Sequence, residues 1–93
     1  MIIGFLQIDL HLPFSHSLKE KRKRIQGLKD RISSRYNAAY AELEFQDKWQ
    51  RARIGLVSVN NRRSIIDSLF QKILRDIEEN LEGEITASHI EYL

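Results

Sequence analysis

The apolar residues of this chain repeat with two different periods that alternate along its length, and that alternation restricts the fold more than any single motif. In residues 2–12 the period is two: Leu6, Ile8, Leu10 and Leu12 share one side, and Phe5, Gln7, Asp9 and His11 share the other. That is the pattern of a strand with one buried face. Farther along, Ile65, Ile66, Leu69, Phe70, Ile73, Leu74, Ile77 and Leu81 follow i, i+3, i+4 spacing, which predicts an amphipathic helix. A sparser stripe of the same period, Leu18, Ile25, Leu28 and Ile32, predicts another helix running to about Arg35. Pro13 ends the strand before it, and Ser17 with Glu20 forms an S-x-x-E capping box at its start.

The remaining segments complete the pattern. Residues 37–45 alternate Ala39, Ala41, Leu43 and Phe45 against Tyr40, Glu42 and Glu44, and residues 51–59 are apolar on both faces, as a central strand would be. Ser64 with Asp67 is the expected cap of the second helix, Gly83 suits the position just past its end, and residues 84–92 read as a last strand. The order β-α-β-β-α-β predicts one ferredoxin-like α+β domain over residues 1–93: a four-stranded antiparallel sheet with both helices on one face. That fold hosts many activities, so it names none.

Composition narrows the classes. There is no Cys, hence no disulfide, thiol nucleophile or cysteine metal site, and a reducing cytosol is the expected location. The apolar start carries Asp9, lacks a basic leader and is too short to span a bilayer, so no membrane role is expected. Net charge is only +2, but residues 17–35 hold eight cations against Glu20 and Asp30, a local +6. Residues 61–82 hold four cations against five carboxylates, a local −1. This asymmetry marks the first helix as a candidate partner surface.

On a helical wheel Lys19, Lys23, Arg24 and Arg31 lie largely opposite the apolar stripe. Lys21 instead falls inside the stripe, between Ile25 and Leu28, and must reach past the sheet edge or meet a buried acid. Its first-turn location near Asp9 and His11 favours the loop between the first strand and the first helix. Together Lys19, Lys21, Arg22, Lys23 and Arg24 form the candidate phosphate-binding set, against the simpler reading of a solvated face. Gly27 sits mid-helix on the outer side, open to a partner backbone or merely tolerated.

Base stacking on the sheet is disfavoured, because the third strand has no aromatic residue and the first offers only Phe5. Ile3 and Phe5 point away from the core face and suggest burial against another subunit. Trp49, with Lys48, Arg51 and Arg53 around it, reads as a contact anchor or as a cap on the core. His11, His16 and His89 lack metal-ligand spacing and read as solvated or hydrogen-bonded. Glu42 and Glu44 point to one side of their strand, near Asp47, and read as charges guarding a sheet edge. No phosphate-loop, nucleophile-elbow or zinc-protease motif occurs, so neither catalytic residues nor a cofactor are expected.

The runs "SLKEKRKRIQGLKDRI" and "YNAAYAELEFQDKWQRARIGLVSV" resemble the YlxP-like family of small bacterial proteins of unknown function. The matching positions are Ser17 to Arg22, then Asp47, Trp49, Gln50 and Arg51, while "NNRR" at residues 60–63 departs by adding cations. The resemblance implies a ferredoxin-like fold and a genomic setting among translation and ribosome-maturation factors, with no catalytic residues to carry over. The sequence reading is therefore a cytosolic accessory protein that contacts structured RNA or a ribosomal particle through its basic helix. The alternative is a homodimeric regulatory or protein-interaction module using the open sheet face, with Ile3, Phe5, Trp49 and Arg51 at the interface.

Overall fold

Period two carries Leu6, Ile8 and Leu10 to one side of the first strand, and the two helical stripes need one apolar surface to cover. In the computed structural model, which describes residues 1–93, these requirements meet in a single sheet. The chain runs β1 (Ile2–His11), α1 (Leu18–Arg35), β2 (Ala39–Glu44), β3 (Arg51–Asn60), α2 (Arg63–Asn80) and β4 (Glu84–Tyr92). The strand order is β2-β3-β1-β4, and every neighbouring pair is antiparallel. This is the predicted ferredoxin-like arrangement.

Leu6 faces Leu56 and Ile8 faces Ile54 across the β1–β3 pair. Ile25, Leu28 and Ile32 of α1 and Ile66, Phe70, Ile73 and Ile77 of α2 join them in one buried core, so both helices cover the same face. Each such side chain contributes roughly 1.5–3 kcal/mol on burial. Gly4 sets how closely α2 lies on β1. A Cβ there would stand 2.4 Å from Ile66 Cγ2, so any larger residue would force the helix outward.

The first helix starts as its sequence predicts. Ser17 Oγ accepts from the Glu20 N–H at 3.1 Å, and Glu20 Oε2 accepts from the His16 N–H at 2.8 Å. Such a cap is worth about 1 kcal/mol. The second helix starts differently from the expectation. Its N-cap is Arg62, which makes no side-chain cap, and Ser64 lies inside the first turn. β3 ends at Asn60 and α2 already begins at Arg63, with only Asn61 and Arg62 between them. Asn60 Oδ1 instead accepts from the Arg62 N–H at 3.0 Å and shapes the turn.

Strand β2 corrects a second expectation. Its register against β3 shifts between Glu42 and Glu44, a bulge at Leu43. Glu42, before the bulge, faces α1 like Tyr40, and the bulge carries Glu44 to the open face beside Arg53; the two carboxylates do not share a side. Leu43 and Phe5 close over Gly55, where a Cβ would meet them at 2.9 and 3.0 Å. No helix is long and apolar enough to cross a membrane.

Candidate nucleic-acid interface

At about 100° per residue, the cations of α1 separate into three directions. Lys21 points inward, and its side chain is 1% exposed. Its ammonium donates to the Phe45 carbonyl and lies 3.6 Å from Glu42 Oε2. The expectation that it reaches the β1–α1 loop is therefore overturned, because Asp9 and His11 occupy the other face of the sheet while Glu42, opposite the buried Ile54, faces the helix. Buried and paired, Lys21 is not available to a phosphate, and it leaves the candidate set. Its acceptor, Phe45, is the one non-glycine residue with positive φ, at 68°, so the ammonium braces a strained turn.

Arg24, Arg31 and Arg35 form the second direction, toward α2. Arg24 pairs with Glu82 at 2.5 Å, and Arg31 Nε donates to Asp76 Oδ1 at 2.6 Å. Arg24 and Arg31 thus lie on the flank of the helix and not opposite its stripe as the wheel suggested, because α2 packs alongside and supplies Asp76, while the turn after it supplies Glu82. Asp76 is nearly buried and also accepts from the Tyr36 hydroxyl at 2.8 Å. Burial would raise its pKa, but the Arg31 and Tyr36 hydrogen bonds outweigh that effect and hold the carboxyl below its ordinary value.

Lys19, Arg22, Lys23 and Lys29 form the third direction. All four are exposed, and the ion pairs made by α1 belong to other residues, Lys21, Arg24, Arg31 and Arg35. Arg22 and Lys29 line a cleft over the β2 edge, with Gln26, Tyr40 and Glu42. Of the five predicted phosphate contacts, three are therefore presented to solvent without a partner: Lys19, Arg22 and Lys23.

The start of α1 has further company. Gln50 Nε2 donates to the carbonyls of Pro13 and Ser15 at 3.1 and 3.2 Å, and the Leu12 N–H donates to the Gln50 carbonyl at 2.8 Å. These bonds lock the β2–β3 connection against the β1–α1 loop. The residues beside them, Phe14 and Trp49, are 64% and 54% exposed, so Trp49 does not cap the core. Lys48 and Arg51 are exposed next to it, and the Arg51 guanidinium stacks 4.0 Å above the Phe45 ring. Phe14 escaped the sequence reading. Its signal was an aromatic directly after Pro13 that belongs to no stripe.

The open sheet face has two halves. At one end Arg53 grips Asp9 through two nitrogens, at 2.7 and 3.0 Å, and Glu44 through a third at 2.5 Å. The Arg53 hydrogen bond is the main reason the Asp9 carboxyl stays below its ordinary pKa. At the other end Ile3 opposes Val59 and Phe5 opposes Val57, with the two valines exposed and Ile3 and Phe5 half-buried. The histidines lie apart. His11 meets Glu84 at 3.0 Å, His89 meets Glu91 at 2.8 Å, and His16 is exposed in its loop.

Comparison with known proteins places the chain. The family described as "Protein of unknown function (DUF503)" matches residues 3–90. The chain is 30% identical over 91 residues to the uncharacterized protein YlxP of Bacillus subtilis (strain 168), covering 98% of this chain and 99% of that one. Among solved structures, protein YJCS matches with a TM-score of 0.61 at 10% identity over 96% of both chains. The de novo designed protein Ferredog-Diesel matches with a TM-score of 0.51 at 12% identity, over 96% of this chain and 83% of the design. At such identities the two structures speak for the fold alone. The resemblance to YlxP-like proteins noted in the sequence is thus a family relationship: the chain belongs to the DUF503 family of proteins of unknown function.

Proposed function

We propose that the chain is a non-catalytic, cytosolic accessory protein that contacts structured RNA, free or in a ribosomal particle, through the end of the molecule where α1 begins. The observation that carries this reading is the meeting of unpaired cations and exposed aromatics at that end. Lys19, Arg22 and Lys23 are exposed and make no ion pair, while Gln50 ties the loop bearing Trp49 to the loop bearing Phe14 that leads into α1. Cations that track phosphates next to rings on which unpaired bases can stack are the recurring solution for flexible nucleic-acid segments. The buried Lys21 contributes by fixing the β2–β3 turn, not by touching RNA.

Trp49 is the only tryptophan, so intrinsic fluorescence reports on this end directly. Titration with an RNA hairpin bearing a single-stranded loop should quench it. With these three cations each engaging a phosphate, affinity should fall roughly 20-fold between 50 and 200 mM salt. A Lys19→Glu, Arg22→Glu, Lys23→Glu variant should bind at least tenfold more weakly while keeping its circular dichroism. Binding indifferent to both salt and these substitutions would contradict the reading.

A second reading, self-association through the open sheet face, is favoured by the apolar half around Ile3, Phe5, Val57 and Val59. Apolar area covered there would contribute ~25 cal/mol per Å², and two-fold pairing is the commonest closed arrangement. On this reading sedimentation at micromolar concentration detects a dimer, which Phe5→Glu weakens without unfolding the monomer. A monomer at every concentration tested would remove it.

A further inference from the structure

We propose that the groove between α1 and α2 is a phosphate-binding site organised around Arg31. Three clefts run end to end along this groove. The first and second share Arg31 and Asn80, and the second and third share Arg35, Tyr36 and Lys72. The middle cleft, about 210 Å³, is lined by Arg31, Arg35, Lys72 and Arg75 against only Asp76 and Glu79. It is thus an electropositive pocket on a helical layer whose second helix is net acidic.

The middle cleft is built as well as charged. Asp76, 6% exposed, takes Arg31 through Nε and Tyr36 through its hydroxyl, and Asn80 Nδ2 donates to the Asp76 carbonyl at 3.0 Å. Held by Nε, the Arg31 guanidinium has its orientation set, and its terminal nitrogens make no hydrogen bond within the chain. A planar fork oriented in advance, with donors to spare, loses little freedom on gripping a phosphate. Arg35 stands 3.7 Å from Asp76 Oδ2 and is half exposed, while Lys72 and Arg75 are exposed without ion pairs. One oriented guanidinium and three adjustable cations are the components a phosphate dianion or diester needs. The site stands apart from the proposed RNA contact, which uses the other flank and the start of α1.

The test is an NMR titration of the ¹⁵N-labelled full chain with inorganic phosphate at constant ionic strength, following the Arg31 Nε–Hε signal and Trp49 fluorescence. Saturable shifts at Arg31, at millimolar phosphate or below, are expected, with Trp49 fluorescence unchanged. A Lys72→Gln, Arg75→Gln variant, altered only at exposed positions, should weaken the binding at least tenfold. Adenosine monophosphate and a short oligoribonucleotide separate the sources. A tighter response to the oligonucleotide identifies RNA backbone, and a response confined to phosphate and the mononucleotide identifies a small phosphorylated ligand; either supports the site. Shifts that rise linearly without saturating, or that persist unweakened in the double variant, overturn it. Because Trp49 reports the other surface, failure here and failure of the RNA contact are separately visible.

Discussion

Lys21→Ala is expected to destabilise the domain by about 3 kcal/mol, the low end of the range for removing one member of a buried ion pair. The low end applies because Glu42 keeps 26% of its side chain in contact with solvent. Three losses combine. The Phe45 carbonyl loses its donor, Glu42 loses its counter-charge under α1, and a long stem leaves the core edge. The strained turn at Phe45 then has less to hold it. Urea denaturation should show the midpoint falling by about 1–3 M at an ordinary m-value. Lys21→Met restores the packed volume but not the donor, so it should fall between the wild type and alanine. Arg22→Ala, one residue on and exposed, should change stability by less than about 0.5 kcal/mol. If Lys21→Ala and Arg22→Ala have equal midpoints, the buried contact is not stabilising the fold.

Asp76→Asn should cost about 2 kcal/mol at neutral pH, the scale of hydrogen bonds to a charged group. The substitution keeps the size of the side chain while leaving Arg31 and Arg35 without a counter-charge. It also carries a pH signature. The folded-state pKa of Asp76 lies below its unfolded value of about 3.9, so the carboxylate's contribution is complete above that value. It is lost as pH falls through the unfolded value and on through the folded one. The gap between wild type and variant should therefore be constant above about pH 5 and close progressively below pH 4. Asp9, also depressed, remains in both proteins and sets a common acid limb. A gap that persists unchanged to pH 2 would show that shape, not charge, accounts for the difference.

These two residues mark where sequence reading succeeds and where it stops. Periodicity is a property of neighbouring residues, so it determined the six elements, their order, the core face of β1 and the cap at Ser17 without reference to anything distant. It also singled out Lys21 as a cation in the wrong place. It could not name the partner, because which face of β2 lies under α1 depends on its pairing with β3, where Tyr40 and Glu42 fall opposite the buried Leu56 and Ile54. The bulge at Leu43 belongs to the same pairing: it moves Glu44 to the open face, and Leu43 and Phe5 fill the space above Gly55. The same holds for the groove. Arg31 and Asp76 are 45 residues apart, and by sequence alone α2 is the acidic helix. Only when both helices lie on one face of the sheet do Lys72 and Arg75 come beside Arg31 and Arg35, and only then does α2's own carboxylate orient Arg31. Likewise Phe14 and Trp49 stand on separate loops until Gln50 ties them together. The sequence determined which faces each element possesses; the tertiary structure decided which of them meet, because contacts through space depend on how the elements pack and not on the local order of residues.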